Sequence, residues 1–228
     1  MATAIFEVKP FLLCGVHPLK VTKEKASENR AALVQAASRL FREHGIDGVG
    51  VAEISKKAGL THGGLYAQFP SKEALAAEAF ASALRPGLDK LMADPPLQAA
   101  TLTEFLDYYM SAEHRDNLAA GCPMSASASE IARQDKVVGE RFTQGFEQFV
   151  ALFEPGLGTS PLSADKRQRA LAMMAAMIGG VAASRAVAKV DHKLSNEILL
   201  AVRQIVGEIA GAKAQSGQGR AQARKRAG

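Results

Sequence analysis

Residues 58–75 read AGLTHGGLYAQFPSKEAL. Gly63 and Gly64 stand side by side after His62, two residues before Tyr66, although glycine weakens a helix interior by roughly 0.5–1 kcal/mol relative to alanine. Gly59 supplies a left-handed turn and Thr61 offers its hydroxyl as an N-cap, so a short helix to about Gln68 is expected all the same. Before it, Val51–Ala58 reads as another short helix, with Ile54 and Ala58 on one face and Lys56 and Lys57 exposed. Two short helices joined by a three-residue turn that opens on glycine fit a helix-turn-helix, over about residues 50–69. Leu65 and Phe69 are assigned to its core. Pro70-Ser71 stops the second helix and caps the next, which begins at Lys72-Glu73.

The chain on either side is helical too. From Ser27, Leu33, Ala36, Ala37, Leu40, Phe41 and His44 recur at three and four residues, and Gly45 follows as a C-cap, giving a first helix of about sixteen residues. Downstream of Pro86, Thr101 with Glu104 forms a capping box before a helix whose inner face is Phe105, Leu106, Tyr109 and Met110. Gly121 and Pro123 interrupt the chain, and an Ala/Ser-rich helix follows to about Arg133. Val138, Phe142, Phe146, Phe149 and Phe153 mark one face of a long helix that Pro155-Gly156 ends. Ser163 and Asp165 open another, to about Val190. The last runs from Ser195 to about Ala212, with Ile198, Val202, Ile205, Val206 and Ile209 expected inward. No strand alternation and no repeat of 20–50 residues is visible.

The chain has 228 residues, enough for one large or two small domains with a sizeable core. Its two cysteines, Cys14 and Cys122, build no disulfide framework and show no metal-ligand spacing, so a reducing, cytoplasmic setting is expected. The net charge of +5 is segregated. Residues 20–75 carry nine basic and six acidic side chains, whereas residues 76–212 carry thirteen and sixteen. The tail contributes Lys213, Arg220, Arg224, Lys225 and Arg226 with no acid. Phe11–Val16 is too short for a signal-peptide core, and Ala170–Ala183 falls short of the roughly 20 apolar residues that span a bilayer. No membrane association is therefore expected.

The stretch ENRAALVQAASRLFREHGIDGVGVAEISKKAGLTHGGLYAQFPSKEAL closely resembles the amino-terminal DNA-binding domain of TetR-type transcriptional regulators. A first helix ending in LFREHG precedes AGLTHGGLYAQFPSKE, where the family carries LF.E.G and then AG.T..LY..F.SKE. The resemblance covers about 60 residues. It implies an all-α fold: a three-helix DNA-binding domain with a helix-turn-helix, followed by a larger helical ligand-binding and dimerisation domain. The implied organisation is a flexible extension over 1–22, a DNA-binding domain over 23–86, a regulatory domain over 87–212 and a disordered basic tail over 213–228. The implied partners are a pseudo-palindromic double-stranded operator, a second copy of the chain and a small-molecule effector, with no cofactor.

A helix entering the major groove must approach base edges and phosphates closely, and glycine removes the side chain that would hold it off. Gly63 and Gly64 are then clearance. By resemblance, Thr61, His62 and Gly63 face bases or the adjacent backbone, while Tyr66 and Lys72 match phosphate contacts of the family. A phenol hydroxyl donating to a phosphate, and a lysine at a helix N-terminus, suit those roles chemically. Gly50 stands where many members carry Ser or Thr, so a hydroxyl contact at that cap is missing.

In the body, Tyr108, Tyr109, Met124, Phe142, Phe146, Met173 and Met177 are candidates to line an effector cavity, which would then accept an apolar or aromatic molecule. Ala175, Gly179 and Ala183 form a small-residue stripe, and with Val202 and Ile205 they are candidates for a dimer seam. Cys122 reads as a small buried hydrophobe, with a thiol sensor as the alternative. The body carries no paired carboxylates, no Ser/His/Asp or Cys/His grouping and no phosphate loop. The histidines are too scattered for a metal site. Three functions are thus weighed: a sequence-specific regulator, expected to be a repressor released by its effector; an all-helical enzyme; and a non-specific DNA binder led by the basic tail.

Overall fold

The computed structural model describes residues 22–93, 99–159 and 164–211. The extension over 1–22 (but for Thr22), the basic tail and the cap expected at Ser163 lie outside them. The described residues form ten helices and no strand: α1 (Lys23–His44), α2 (Val51–Lys57), α3 (His62–Tyr66), α4 (Lys72–Met92), α5 (Ala99–Tyr109), α6 (Ala112–Asp116), α7 (Pro123–Ile131), α8 (Lys136–Gly156), α9 (Lys166–Ala188) and α10 (His192–Ala210).

Two hydrophobic clusters organise them. The first gathers Leu33, Ala37, Leu40 and Phe41 of α1, Ile54 of α2, Leu65 of α3, Phe69, and Leu75, Ala76 and Ala79 of α4. Fully burying a leucine, isoleucine or phenylalanine side chain stabilises by roughly 1.5–3 kcal/mol, so these contacts fix how the two short helices α2 and α3 sit against α1 and α4. Val138 of α8 belongs to this cluster as well, with Ile131 of α7 and Val137 of α8 packed against it, so the end of α7 and the first turn of α8 close the floor of the front unit. The second cluster is built from α4, α5, α7, α8, α9 and α10, around Phe105, Leu106, Met124, Phe149, Phe153, Met173 and Met177.

α4 serves both clusters. Its first half gives Leu75, Ala76 and Ala79 to the front, and its second half gives Phe80, Leu84 and Leu91 to the body. The helix runs through Pro86 without ending, so residue 86 lies inside a continuous rod. Pro86 and Ser82, the residue whose carbonyl loses its helical donor, are both exposed. α8 crosses α4 closely, because Gly145 faces Leu84 with no room for a Cβ.

Several boundaries differ from the sequence expectation. α1 begins four residues before Ser27, at Lys23, where the Thr22 hydroxyl accepts from the Lys25 amide at 3.2 Å. Its first turn is charged and exposed, so apolar periodicity does not reveal it. α5 begins at Ala99, which puts Thr101 inside the helix instead of at its cap. α6 is an additional helix of five residues, too short to show a period, capped by Ser111. α9 opens on a capping box between Asp165 and Gln168. In α10, Leu199 is buried where Ile205 was expected, and Ile205 is exposed.

α9 is longer than the apolar run suggested: by length and composition it could cross a membrane, with a mean hydropathy of 1.6 over its most apolar window. That apolarity is used inside the bundle, where Met173, Met174, Met177, Ile178 and Val181 are buried against α8 and α10.

Candidate nucleic-acid interface

α2 starts at Gly50, which offers no side-chain cap. After it, Gly59 turns the chain with φ +71°, a conformation that L side chains rarely adopt. The Thr61 hydroxyl then accepts from the Gly64 amide at 3.2 Å and starts α3. α3 ends at Tyr66, earlier than the expected Gln68. Phe69 is drawn into the core, and its amide and that of Gln68 both donate to the Leu65 carbonyl at 2.9 Å, which closes the helix as a tight turn.

Leu65 and Phe69 anchor this short element from below. Its outer side presents Thr61, His62 and Gly63, all exposed, with Tyr66 half-exposed and Gly64 and Lys72 partly exposed. The His62 and Tyr66 rings lie 5.2 Å apart. A Cβ added at Gly63 would meet nothing within 4 Å, and one at Gly64 would meet Leu60 and Thr61 at an ordinary 3.5 Å. Nothing inside the chain therefore demands glycine at either position. Lys72 sits in the first turn of α4, whose N-cap Ser71 accepts from the Ala74 amide at 3.2 Å. The six residues are thus brought together around one short helix and the start of the next.

Sequence reading missed two sets of polar contacts. Arg30 of α1 donates from Nη1 to the Gln68 carbonyl at 2.6 Å, from Nε to Glu78 at 3.1 Å and from Nη2 to the other Glu78 oxygen. Its signal was its register, three and seven residues before Leu33 and Ala37 on the inner side of α1. The second set joins the front to the body. Arg42 donates to the Ala119 carbonyl. Glu130 accepts from the Asp47 amide at 2.8 Å, and Gln134 donates to the Asp47 carboxylate at 3.0 Å. These pairs are 77 to 87 residues apart along the chain, so no local pattern exposes them.

A buried polar network fixes the other end of α7. His114 Nδ1 lies 2.7 Å from the Tyr109 carbonyl, while Nε2 accepts from the Cys122 amide at 3.0 Å. Those partners assign the neutral ring with its proton on Nδ1. Arg185 donates to the carbonyls of Arg115 and His114 and to the Ser125 hydroxyl. Gly121 leaves room for it, since a Cβ there would come 2.7 Å from both Arg185 Nη2 and the Asn117 carbonyl.

Burial, and then the Arg185 guanidinium, hold His114 below its ordinary 6.5, against the opposing pull of the Tyr109 carbonyl. A lowered folded-state value means that the unfolded chain binds the extra proton first. The stabilisation is complete above about pH 6.5 and is lost as pH falls towards the folded value. The melting temperature is expected to drop on acidification from about pH 7 to pH 5, and His114→Gln to lose the histidine's share of that drop. Identical pH profiles for the two proteins would contradict this.

The effector candidates are mostly packed away. Tyr109, Met124, Met173 and Met177 are buried in the second cluster, Phe142 and Phe146 lie partly buried against it, and Tyr108 is exposed. Burial, and then neighbouring Cys122, push the Tyr109 phenol well above the ordinary range. Of these seven residues, Phe142 borders an open surface cleft between the end of α7 and the start of α8. A larger open cleft lies between α1 and α4, with Arg39, Arg42 and Arg85 on its rim. Cys122 is partly buried against the second cluster. Among the described residues, no group of three or more His, Cys, Asp or Glu side chains is placed to hold a metal ion.

α9 carries two interleaved small-residue stripes, each spaced by four residues, and they face opposite ways. Ala176, Gly180 and Ser184 turn toward the bundle, and a Cβ at Gly180 would sit 3.0 Å from Val202. Val202 therefore faces inward, unlike the other seam candidates. Ala175, Gly179 and Ala183 are exposed, as are Leu200 and Ile205 of α10.

The sequence model of the family described as bacterial regulatory proteins, tetR family, matches residues 33–79. LmrA, an HTH-type transcriptional regulator of Bacillus subtilis, is 27% identical over 162 residues, which is 67% of this chain and 84% of LmrA. TtgR, an HTH-type transcriptional regulator of Pseudomonas putida, is 41% identical over 54 residues, 24% of this chain and 26% of TtgR. Among solved structures, a TetR transcriptional regulator from Chloroflexus aurantiacus superposes with a TM-score of 0.65 at 24% identity, covering 85% of this chain and 98% of that one. The reduced form of Escherichia coli NemR superposes with a TM-score of 0.63 at 20% identity, covering 78% and 95%.

Proposed function

Because the chain belongs to the TetR family of bacterial transcriptional regulators, and so is a DNA-binding regulator and not an enzyme, we propose that it acts in the cytoplasm as a homodimeric repressor. In this reading it holds a pseudo-palindromic operator and leaves it when a small molecule binds the body. The observation that carries the DNA-reading part is the open space above Gly63, beside exposed Thr61, His62 and Tyr66 on a helix anchored by Leu65 and Phe69. With α3 in the major groove, Thr61 and His62 meet base edges, Gly63 and Gly64 permit the approach, and Tyr66 and Lys72 hold phosphates. The units expected over 23–86 and 87–212 divide the work between reading DNA and sensing the effector.

The aromatic and methionine composition around Tyr108, Tyr109, Met124, Phe142, Phe146, Met173 and Met177 supports an apolar or aromatic effector, admitted as α4, α5, α8 and α9 part. The exposed Ala175, Gly179, Ala183 and Ile205 support the dimer, whose two-fold axis would impose inverted symmetry on the operator.

Selection of bound fragments from a random duplex pool tests this reading. Enrichment of an inverted repeat is expected, followed by release of that fragment on adding apolar aromatic compounds. Equal affinity for every fragment would replace the proposal with non-specific binding, and release by highly charged metabolites alone would remove the apolar effector.

A further inference from the structure

α3 has five residues, two of them glycine, so little in its own backbone resists tilting. A reading helix must nonetheless hold its side chains in a fixed pose, because a bidentate base contact tolerates small displacement poorly. Its N-terminal end is set by the Thr61 cap and its underside by Leu65 and Phe69. The C-terminal end, where the chain turns toward Lys72, has a separate support.

That support is Arg30. Each of its three guanidinium nitrogens has an acceptor: Nη1 on the Gln68 carbonyl at 2.6 Å, Nε on Glu78 Oε1 at 3.1 Å and Nη2 on Glu78 Oε2. The guanidinium also lies over the Phe69 ring, 4.0 Å from its centroid. One planar group thereby ties α1, the turn after α3 and α4 together. Only arginine supplies this fork, since a lysine ammonium is a point charge on a flexible stem. The side chains of both Arg30 and Glu78 are 41% exposed, so as an ion pair their contribution to stability is small. The Glu78 carboxylate also neutralises the cation, which leaves it little attraction for a phosphate.

We propose that Arg30 is a positioning residue for operator reading, setting the pose of α3 and of the α4 N-terminus without touching DNA. This rests on the reading in which α3 enters the groove. It separates Arg30 from the phosphate-binding role that a cation in a DNA-binding domain would ordinarily be given.

The test uses the full-length protein and the fragment enriched by selection, with a random duplex as reference, across a range of salt concentrations. The variants are R30K, which keeps the charge, R30M/E78Q, which keeps the net charge of the pair, and E78Q alone. R30K and R30M/E78Q are expected to lose about tenfold or more in affinity for the selected fragment, the order of one good base contact. Affinity for the random duplex should stay within about twofold, with an unchanged slope of log affinity against log salt, because no phosphate contact is lost. E78Q should show a smaller loss of the same kind.

Wild-type affinity in R30K would overturn the proposal, since charge alone would then suffice. A slope flattened by about 0.9 would make Arg30 a phosphate ligand. An equal loss on both duplexes would make it a general stabiliser. If the wild-type protein itself fails to distinguish the selected fragment from the random one, the underlying reading has failed instead.

Discussion

Gly63→Leu is expected to eliminate specific operator binding while leaving the protein folded and dimeric. The space above this position is open, with no atom within 4 Å of an added Cβ, so the fold has no objection to a side chain. The backbone there has no positive φ either, since the positive-φ glycines among the described residues are Gly45, Gly59 and Gly211. Gly63→Ala should in fact raise stability by up to about 0.5–1 kcal/mol, the usual gain on replacing a helical glycine. The cost of a larger residue appears only against DNA. A leucine at the second position of α3 would hold the helix off the bases and take His62 and Thr61 out of range, each base contact being worth about 1–3 kcal/mol. Circular dichroism and a melting curve at least as high as wild type, together with loss of fluorescence-anisotropy binding to the selected fragment, are the expected results. Wild-type affinity in Gly63→Leu would show that α3 does not enter the groove in this way.

Gly179→Leu is expected to convert a dimer into a folded monomer. Ala175, Gly179 and Ala183 lie four residues apart on the exposed side of α9, where a partner helix can approach the backbone closely. Leu200 and Ile205 of α10 are also exposed, at 70% and 51%, which leaves apolar side chains of that helix in water in an isolated chain. A Cβ added at Gly179 meets nothing within 4 Å of its own chain, so a side chain there points into open space where the partner would sit. Gly180 provides the control one residue away. A Cβ there already approaches Val202 at 3.0 Å and Met110 at 3.1 Å, so Gly180→Leu should overpack the interior and cost about 1–3 kcal/mol of stability. Light scattering at low micromolar concentration should find Gly179→Leu monomeric with a cooperative melt, and operator affinity should fall because one half-site must be held alone. A Gly179→Leu protein that remains dimeric would place the seam elsewhere.

The two predictions differ in what they owe to the sequence. HGGLY, set between Gly59 and Pro70, locates a short, Thr61-capped helix by itself, because the cap, the turn and the stop all lie within a few residues of one another. The stripe on α9 was equally visible, yet two interleaved stripes satisfy the same four-residue spacing. Contact with Val202 of α10 and with Met110 shows that Gly180 turns inward, while Gly179 faces open space. The same ambiguity misplaced Ile205: α10 carries apolar residues on more than one side, and packing against α9 selected Leu199 for burial. α6 and the first turn of α1 escaped notice for a different reason, one too short and the other too charged to show an apolar period.

The sequence by itself determined the local matters: helices read from periodicity, the Thr61, Ser71 and Asp165 caps, the Gly59 turn and the short helix α3 that follows it. Each depends on residues a few positions apart, where backbone sterics and capping hydrogen bonds act. Tertiary structure decided what depends on distant segments. It ran α4 through Pro86 to serve both cores, brought Val138 under the front unit, and joined Arg42 to Ala119 and Glu130 to Asp47. It also placed Arg30 against Gln68 and Glu78, 38 and 48 residues away. Such contacts form only when burial of the two clusters brings the segments together, and chain spacing alone carries no record of them.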